Sequence, residues 1–237
     1  MIRVLTFFLA SALFFSPAYN NQCVATAGCL FCNSGQVLSL KTSKGKEFFY
    51  NDFTQASVID LYSFSCIINA VLFDNGTVLF LDNKLNDLQQ MDLHLLGIYS
   101  PGQIAVEDIN FFWIYDNFTN SLYRINRKLA QIDYRISLDY LTSKVKNLIF
   151  ADNHLYFMGD KGIFSVDNLF NIHKEKAFLK ARDFYVYDGR LFVLSPAGIY
   201  YADSLVYPVK GLTAICGFFS HSLVVIKKDQ PVLLPLP

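Results

Sequence analysis

Cys29 and Cys32 form the one motif in this sequence whose spacing belongs to redox or metal chemistry, a Cys-x-x-Cys. A reactive pair of that kind sits at a helix start, where the dipole lowers the thiol pKa. Here the intervening residues are Leu30 and Phe31, in a run that reads as a strand. Three strand residues span about 10 Å and turn the two side chains to opposite faces, whereas a disulfide needs Cα atoms within about 7 Å. A disulfide between Cys29 and Cys32 is therefore not expected. A zinc site needs two further ligands nearby, and Cys23, Cys66 and Cys216 supply no second pair at ligand spacing. Burial or structural pairing is the expected role. With 5 cysteines at least one thiol stays free or pairs between molecules. Cys23 is the candidate to staple the N-terminal tail.

The remaining chemistry-bearing residues do not converge in sequence. His154 and His221 occupy similar turns beside Asn153 and Ser220, and His94 and His173 stand alone. Neither a His-Glu-x-x-His helix nor a Gly-x-Ser-x-Gly elbow occurs, so zinc peptidase and α/β-hydrolase chemistry lack support. Glu107 and Asp108 are adjacent, and neighbours on a strand face opposite ways, which argues against an acid–base pair. There is no phosphate loop and no acidic calcium loop. No metal or cofactor is expected.

What must position any site is a repeat. An apolar triplet, a tight polar turn and a β-branched or aromatic strand recur six times. The triplets are Leu30-Phe31-Cys32, Val71-Leu72-Phe73, Phe111-Phe112-Trp113, Leu155-Tyr156-Phe157, Leu191-Phe192-Val193 and Leu223-Val224-Val225, with starts 41, 40, 44, 36 and 32 residues apart. A strand-built period of roughly 35–45 residues signals a radial array of four-stranded blades. The fold class is therefore all-β, a single β-propeller of six four-stranded blades, with boundaries near 26–55, 56–93, 94–143, 144–179, 180–210 and 211–237. Asp108, Asp152 and Asp188 precede triplets and read as turn acids. The last blade is short, and the run from Cys23 to Cys32 is the candidate for its missing strand. The ring-rich stretch from Phe111 to Phe118 reads as inter-blade core.

Apolar residues at 53% against 17% charged exclude a disordered chain. A formal net charge of zero without a basic stripe argues against nucleic acid. Met1-Ile2-Arg3, the apolar run from Val4 to Phe15 and Ser16-Pro17-Ala18 read as a secretory signal peptide. No later segment approaches the roughly 18 apolar residues of a membrane span. The expected organisation is signal peptide over 1–18, tail or closure segment over 19–25 and propeller over 26–237.

The chain resembles the six-bladed β-propellers, and more narrowly the small secreted propellers of bacteroidete bacteria. The resemblance rests on Asn51-Asp52-Phe53, on the run Val71 to Asn86 with its Asp74-Asn75-Gly76 turn, and on Phe112-Trp113-Ile114-Tyr115-Asp116. It implies an envelope location and a propeller, and no established activity. Asp203-Ser204-Leu205 looks like the O-glycosylation pattern of those bacteria, which makes Ser204 the candidate acceptor.

Propeller ligands commonly sit over the axis. If the segments before the triplets are inner strands, Gln103, Asn147, Arg182, Asp183 and Thr213 begin theirs at one end and ring one tunnel mouth. The expected function is a non-enzymatic binding or scaffold module of the bacterial envelope, exported to the periplasm, the envelope or beyond. Its expected partner is another envelope protein or a glycan. The alternative is a small propeller enzyme, a lactonase-like hydrolase or glycan lyase, with its site over the tunnel.

Overall fold

Short apolar runs punctuated by Gly, Asn and Asp turns fold into antiparallel meanders, because each turn supplies the positive φ that a tight hairpin needs. The computed structural model describes residues 22–35, 37–51, 56–176, 181–219, 222–228 and 230–235. The signal segment expected over 1–18 lies outside these residues, as do Asp52, Phe53 and His221.

The first meander comprises β1 (Gln22–Thr26), β2 (Cys29–Asn33), β3 (Leu38–Thr42) and β4 (Glu47–Tyr50). The second comprises β5 (Val58–Phe64), β6 (Ile68–Phe73), β7 (Thr77–Leu81) and β8 (Asp87–Asp92). A single 3-10 turn, Leu93–Leu96, leads on to β9 (Pro101–Val106), β10 (Phe111–Asp116), β11 (Ser121–Asn126) and β12 (Gln131–Ser137). The fourth meander runs through β13 (Asn147–Ala151), β14 (His154–Gly159), β15 (Gly162–Val166) and β16 (Ile172–Lys176). The fifth holds β17 (Asp183–Tyr187), β18 (Arg190–Ser195), β19 (Gly198–Tyr201) and β20 (Ser204–Tyr207). The last has three strands, β21 (Leu212–Phe219), β22 (Ser222–Lys227) and β23 (Gln230–Pro235).

All six apolar triplets fall on the second strand of a meander. Those strands are covered on both faces, and β6 is buried at every residue, which explains their unbroken apolar runs. Outer strands such as β12 are exposed at most positions.

The described residues form five sheets. Four have four strands, and the seven-stranded one joins the first and last meanders. The junction is one parallel bridge between Ala25 of β1 and Gly217 of β21. The segment from Cys23 to Cys32 therefore forms the β1–β2 hairpin of the first meander, and its β1 is also the strand that bonds to the last. The sheet also begins at Gln22, inside the expected tail.

The first strands touch in a cycle: β1 lies against β5, β5 against β9, β9 against β13, β13 against β17, β17 against β21, and β21 against β1. Each seam between successive meanders holds its own apolar cluster. Phe80, Phe112 and Ile114 fill the second seam, for example, and Trp113, Tyr115 and Phe157 the third. The closing seam is the thinnest, with Ala25, Cys216, Val224 and Ile226 at its centre.

Two disulfides tie the N-terminal region. Cys23 pairs with Cys32 directly across the β1–β2 hairpin, and Cys29 pairs with Cys66 in the turn after β5. The Cys-x-x-Cys thus splits between two partners, and Cys216 is a buried free thiol.

Candidate functional site

Side-chain hydrogen bonds cross several of the seams between first strands. Gln22 of β1 donates its side-chain amide to the Ile59 carbonyl of β5 at 2.9 Å. Asp60 of β5 accepts from its own neighbour Leu61 N at 3.0 Å and from Ile104 N of β9 at 2.8 Å. Asp183 of β17 repeats the arrangement, accepting from Phe184 N at 2.9 Å and from Ile215 N of β21 at 2.7 Å. Asn147 of β13 donates to the Asp183 carboxylate and to the Phe184 carbonyl. Each of these side chains stitches one inner strand to the next.

Two residues further along, on the same strand faces, stand Tyr62 and Tyr185. Tyr62 reaches past β9 to β13, where its hydroxyl donates to Phe150 O at 2.7 Å and accepts from Phe150 N at 3.0 Å. Tyr185 reaches past β21 to β1, where its hydroxyl donates to Ala25 O at 3.3 Å. Asp60-Leu61-Tyr62 and Asp183-Phe184-Tyr185 are thus one motif used twice, on strands three places apart in a cycle of six. Their long reach carries both tyrosines across the axial space beneath the aspartates.

The electrostatics follow from burial. Asp60 and Asp183 are walled by protein but keep partial contact with solvent. Desolvation pushes the Asp60 carboxyl up to about 7, outweighing its two backbone hydrogen bonds, and the charge of Asp183 adds to the rise. Asp183 is pushed up to about 6, again by burial. Burial also raises Tyr62 and Tyr185 far above the usual phenol value, and each has a neighbouring acidic group that adds to this. The Cys216 thiol is held up by burial and by the nearby Asp183. Among the described residues no group of three or more His, Cys, Asp or Glu side chains could hold a metal ion.

Of the residues expected to ring the mouth, the structure brings together Asn147 and Asp183. Gln103 is half-buried on β9 and spends its amide on the Gly102 carbonyl beside it. Arg182 is exposed and precedes β17. Thr213 is exposed two residues before the Ile215 contact, and its hydroxyl donates to Ile226 O within its own hairpin. These three do not converge, because the cross-seam register places them at the rim or turns them along their own strands. Gln22, Asp60, Tyr62 and Tyr185 were missed, although the doubled Asp-x-Tyr before two triplets was a signal available in the sequence. Ser204 begins β20 after a turn through Ala202 and Asp203, and is exposed.

The other candidates resolve into structure. Glu107 and Asp108 diverge: Glu107 binds Arg124 and the Trp113 indole, while Asp108 accepts from Asn110 N and Phe111 N of its own turn. Phe112, Trp113 and Tyr115 are core, and Phe118 is 77% exposed. His154 is half-buried and its Nδ1 lies 2.9 Å from Asp152 O. A cleft of about 750 Å³ opens between β12 and β16, where Tyr134 and Phe170 stack at 3.9 Å beside Arg135 and Lys174.

No family model and no curated protein matches the sequence. Solved structures do match. PorZ, a surface component of the type-IX secretion system of Porphyromonas gingivalis, superposes with a TM-score of 0.53 at 12% identity, over 91% of this chain and 38% of that one. The fold is propeller-like. BBS1N, solved in complex with ARL6DN, gives 0.59 at 14% identity over 86% of this chain and 73% of that one. Virginiamycin B lyase from Staphylococcus aureus, a catalytically inactive H270A form with Quinupristin, gives 0.58 at 15% identity over 92% and 80%. The chain therefore spans well under half the length of PorZ. At these identities the likeness is one of fold, shared by proteins of different function.

Proposed function

We propose that this chain is an exported six-bladed propeller that serves as a binding or scaffold module of the bacterial cell envelope. The closed cycle of six first strands and the apolar cluster at every seam support the blade number. The last blade would stand with three strands, bridged to the first at Ala25 and Gly217. Two disulfides favour an oxidising compartment, and no helix among the described residues is long and apolar enough to cross a membrane. The signal peptide over 1–18 is part of this proposal, as is Ser204 as a glycosylation acceptor.

The observation that carries the binding reading is the end at which the inner strands begin. There Gln22, Asp60, Asn147 and Asp183 present polar groups from four strands, above tyrosines that cross the axis. A rigid ring presenting polar groups over a blocked axis suits recognition of a group that enters and stops. PorZ and the BBS1N–ARL6DN complex are precedents for propeller-like folds in a surface machine and in a protein complex. The partner would be an envelope protein or a glycan.

The rival reading, a small hydrolase or lyase, draws on the same acids, because a carboxyl held near neutrality suits a general acid. The thiol nearest them, Cys216, is buried and held protonated, and no metal-holding cluster stands among the described residues.

Tagging the chain at its C-terminus, crosslinking it in its native cells and identifying what co-purifies tests the proposal. A reproducible envelope partner supports it. A clean monomer overturns the scaffold reading and moves the question to a glycan and lactone screen.

A further inference from the structure

We propose that the axial mouth receives an organic cation, the ammonium or guanidinium end of a basic side chain on a partner protein, seated between Asp60 and Asp183. This rests on the reading of that end as the binding face, and names what the face recognises.

Four independent features point to a cation rather than to any other guest. The two carboxylates belong to strands on opposite sides of the cycle, and neither has a counter-charge. The ion pairs among the described residues involve Lys41, His94, Arg124 and His173, and none reaches Asp60 or Asp183. Every hydrogen bond that the two acids accept comes from a backbone N–H or from the Asn147 amide, which are neutral donors. An uncompensated buried charge is costly, and a protein relieves it with a proton or a cation.

Gln22 supplies the second feature. Its Oε1 is enclosed and has no donor, while its amide N–H is spent on Ile59 O, the residue before Asp60. Buried acceptors normally have a partner, so an orphan on the strand beside Asp60 marks a missing N–H.

The third feature is the floor. The Tyr62 and Tyr185 hydroxyls are consumed by the backbone at Phe150 and Ala25, so the two half-buried side chains offer a guest ring carbon rather than a hydroxyl. Aromatic faces attract ammonium and guanidinium groups. The fourth is the absence of the ligand set that a metal ion would require. Calcium takes six to eight oxygens and magnesium a tight octahedron, and no cluster of three metal-capable side chains exists among the described residues. An acceptor-rich mouth over an aromatic floor fits a cation rich in N–H donors.

Asp60 and Asp183 give up their protons at about 7 and about 6, so a basic side chain competes with protons there and binds more tightly as pH rises. The titratable groups that face the pair are Tyr62, Tyr185 and Cys216, all held neutral by burial. Asn147, Gln22 and Gln103 are uncharged, and Arg182 is the cation at the rim. Of the groups that face the pair, only Asp60 and Asp183 change charge between pH 5.5 and 8.

The test titrates the full chain with N-acetyl-arginine methylamide, N-acetyl-lysine methylamide, uncharged N-acetyl-norleucine methylamide and calcium chloride, followed by calorimetry or NMR. Saturable binding of the basic amides at pH 8, weaker by roughly tenfold or more at pH 5.5, is the expected result. Asp60→Asn and Asp183→Asn should each weaken it by a similar factor. Equal binding of the norleucine amide, binding of calcium alone, or no saturable binding at pH 8 overturns the proposal. If either variant fails to fold, the pH and neutral-analogue arms in the unaltered chain decide. A co-purified partner that survives both Asn variants overturns this inference and leaves the binding-face reading intact. Absence of any partner, with the amides still bound, does the reverse.

Discussion

Tyr62 and Tyr185 stand in equivalent places on strands three modules apart, and each reaches past the neighbouring inner strand to the backbone of the next one. The two are not equal in strength. Tyr62 makes two bonds to Phe150, at 2.7 and 3.0 Å, whereas Tyr185 makes one at 3.3 Å to Ala25. The first is a cross-brace between the second and fourth modules, and the second a lighter tie between the fifth and first.

Tyr62→Phe keeps the ring and removes both bonds, leaving the Phe150 N–H and carbonyl without that partner. Unmet buried groups cost about 1–3 kcal/mol, so urea unfolding should show a loss in that range. Tyr185→Phe should cost about 1 kcal/mol or less. Equal losses in the two variants would contradict the brace asymmetry.

The repeat was legible because second strands such as β6 are buried on both faces and read as unbroken apolar triplets. Turn residues marked the hairpins for the same local reason, as at Asp74-Asn75-Gly76. The axial groups were legible only in part. Asn147 and Asp183 stood out as polar starts of apolar strands, but contact between Tyr62 and Phe150 spans 88 residues and depends on how modules stack. Arg182 and Thr213 looked equivalent to Asp183 because strand position alone does not say which residue reaches the seam. The same limit hid the disulfides: the hairpin placed Cys23 opposite Cys32, and inter-module stacking brought Cys66 to Cys29.

The disulfide pattern predicts thiol behaviour. Cys216 is buried with its thiol held far above the usual value, so it should resist alkylation in the native chain. Thiol titration should find none reactive when folded and one in denaturant without reductant. Three or five thiols would refute the pairing. The Cys29–Cys66 bridge closes the longer loop, a separation of 37 against 9, and loop entropy gives about 4 and about 2.5 kcal/mol respectively. Cys66→Ser should therefore lower stability more than Cys23→Ser.

Stability should fall as the solution becomes alkaline. Asp60 and Asp183 sit at about 7 and about 6 in the folded chain, above the value near 3.9 of an unfolded aspartate. The native state thus holds protons that the unfolded chain has released. That stabilisation is complete below about pH 4 and disappears as pH rises through both folded values. Partial solvent contact screens it to on the order of 1–3 kcal/mol. Asp160 and Asp167 act in the opposite sense, because hydrogen bonds lower them and their contribution is lost only in stronger acid. Urea midpoints at pH 5 and pH 8 check the sign, and Asp60→Asn should shrink the difference. A protein equally stable at both values would show that the axial acids are already ionised at pH 5.

The closing seam should fail first. Its apolar cluster is the smallest, and among the described residues it depends on the bridge from Ala25 to Gly217, a strand pairing that the other seams do not use. Gly217 has a φ of +126°, and a Cβ there would lie 2.0 Å from Ala25 O and 2.9 Å from the Tyr185 ring. Both neighbours are fixed, one as backbone and one as a ring hydrogen-bonded to that same carbonyl. Gly217→Ala must then push β1 away from β21 and break the Tyr185 tie together with the bridge. A loss of roughly 3 kcal/mol or more is expected, in the class of overpacking combined with backbone strain. Gly211→Ala is the control: its φ of +78° is also unfavourable, but nothing lies within 4 Å of the added Cβ, so it should cost about 1 kcal/mol. Hydrogen exchange supplies the spatial readout, since β1 and β21 amides should lose protection in Gly217→Ala while β9 and β10 keep theirs. Uniform loss across all six modules would mean that the ring opens as one unit, with no weak closure.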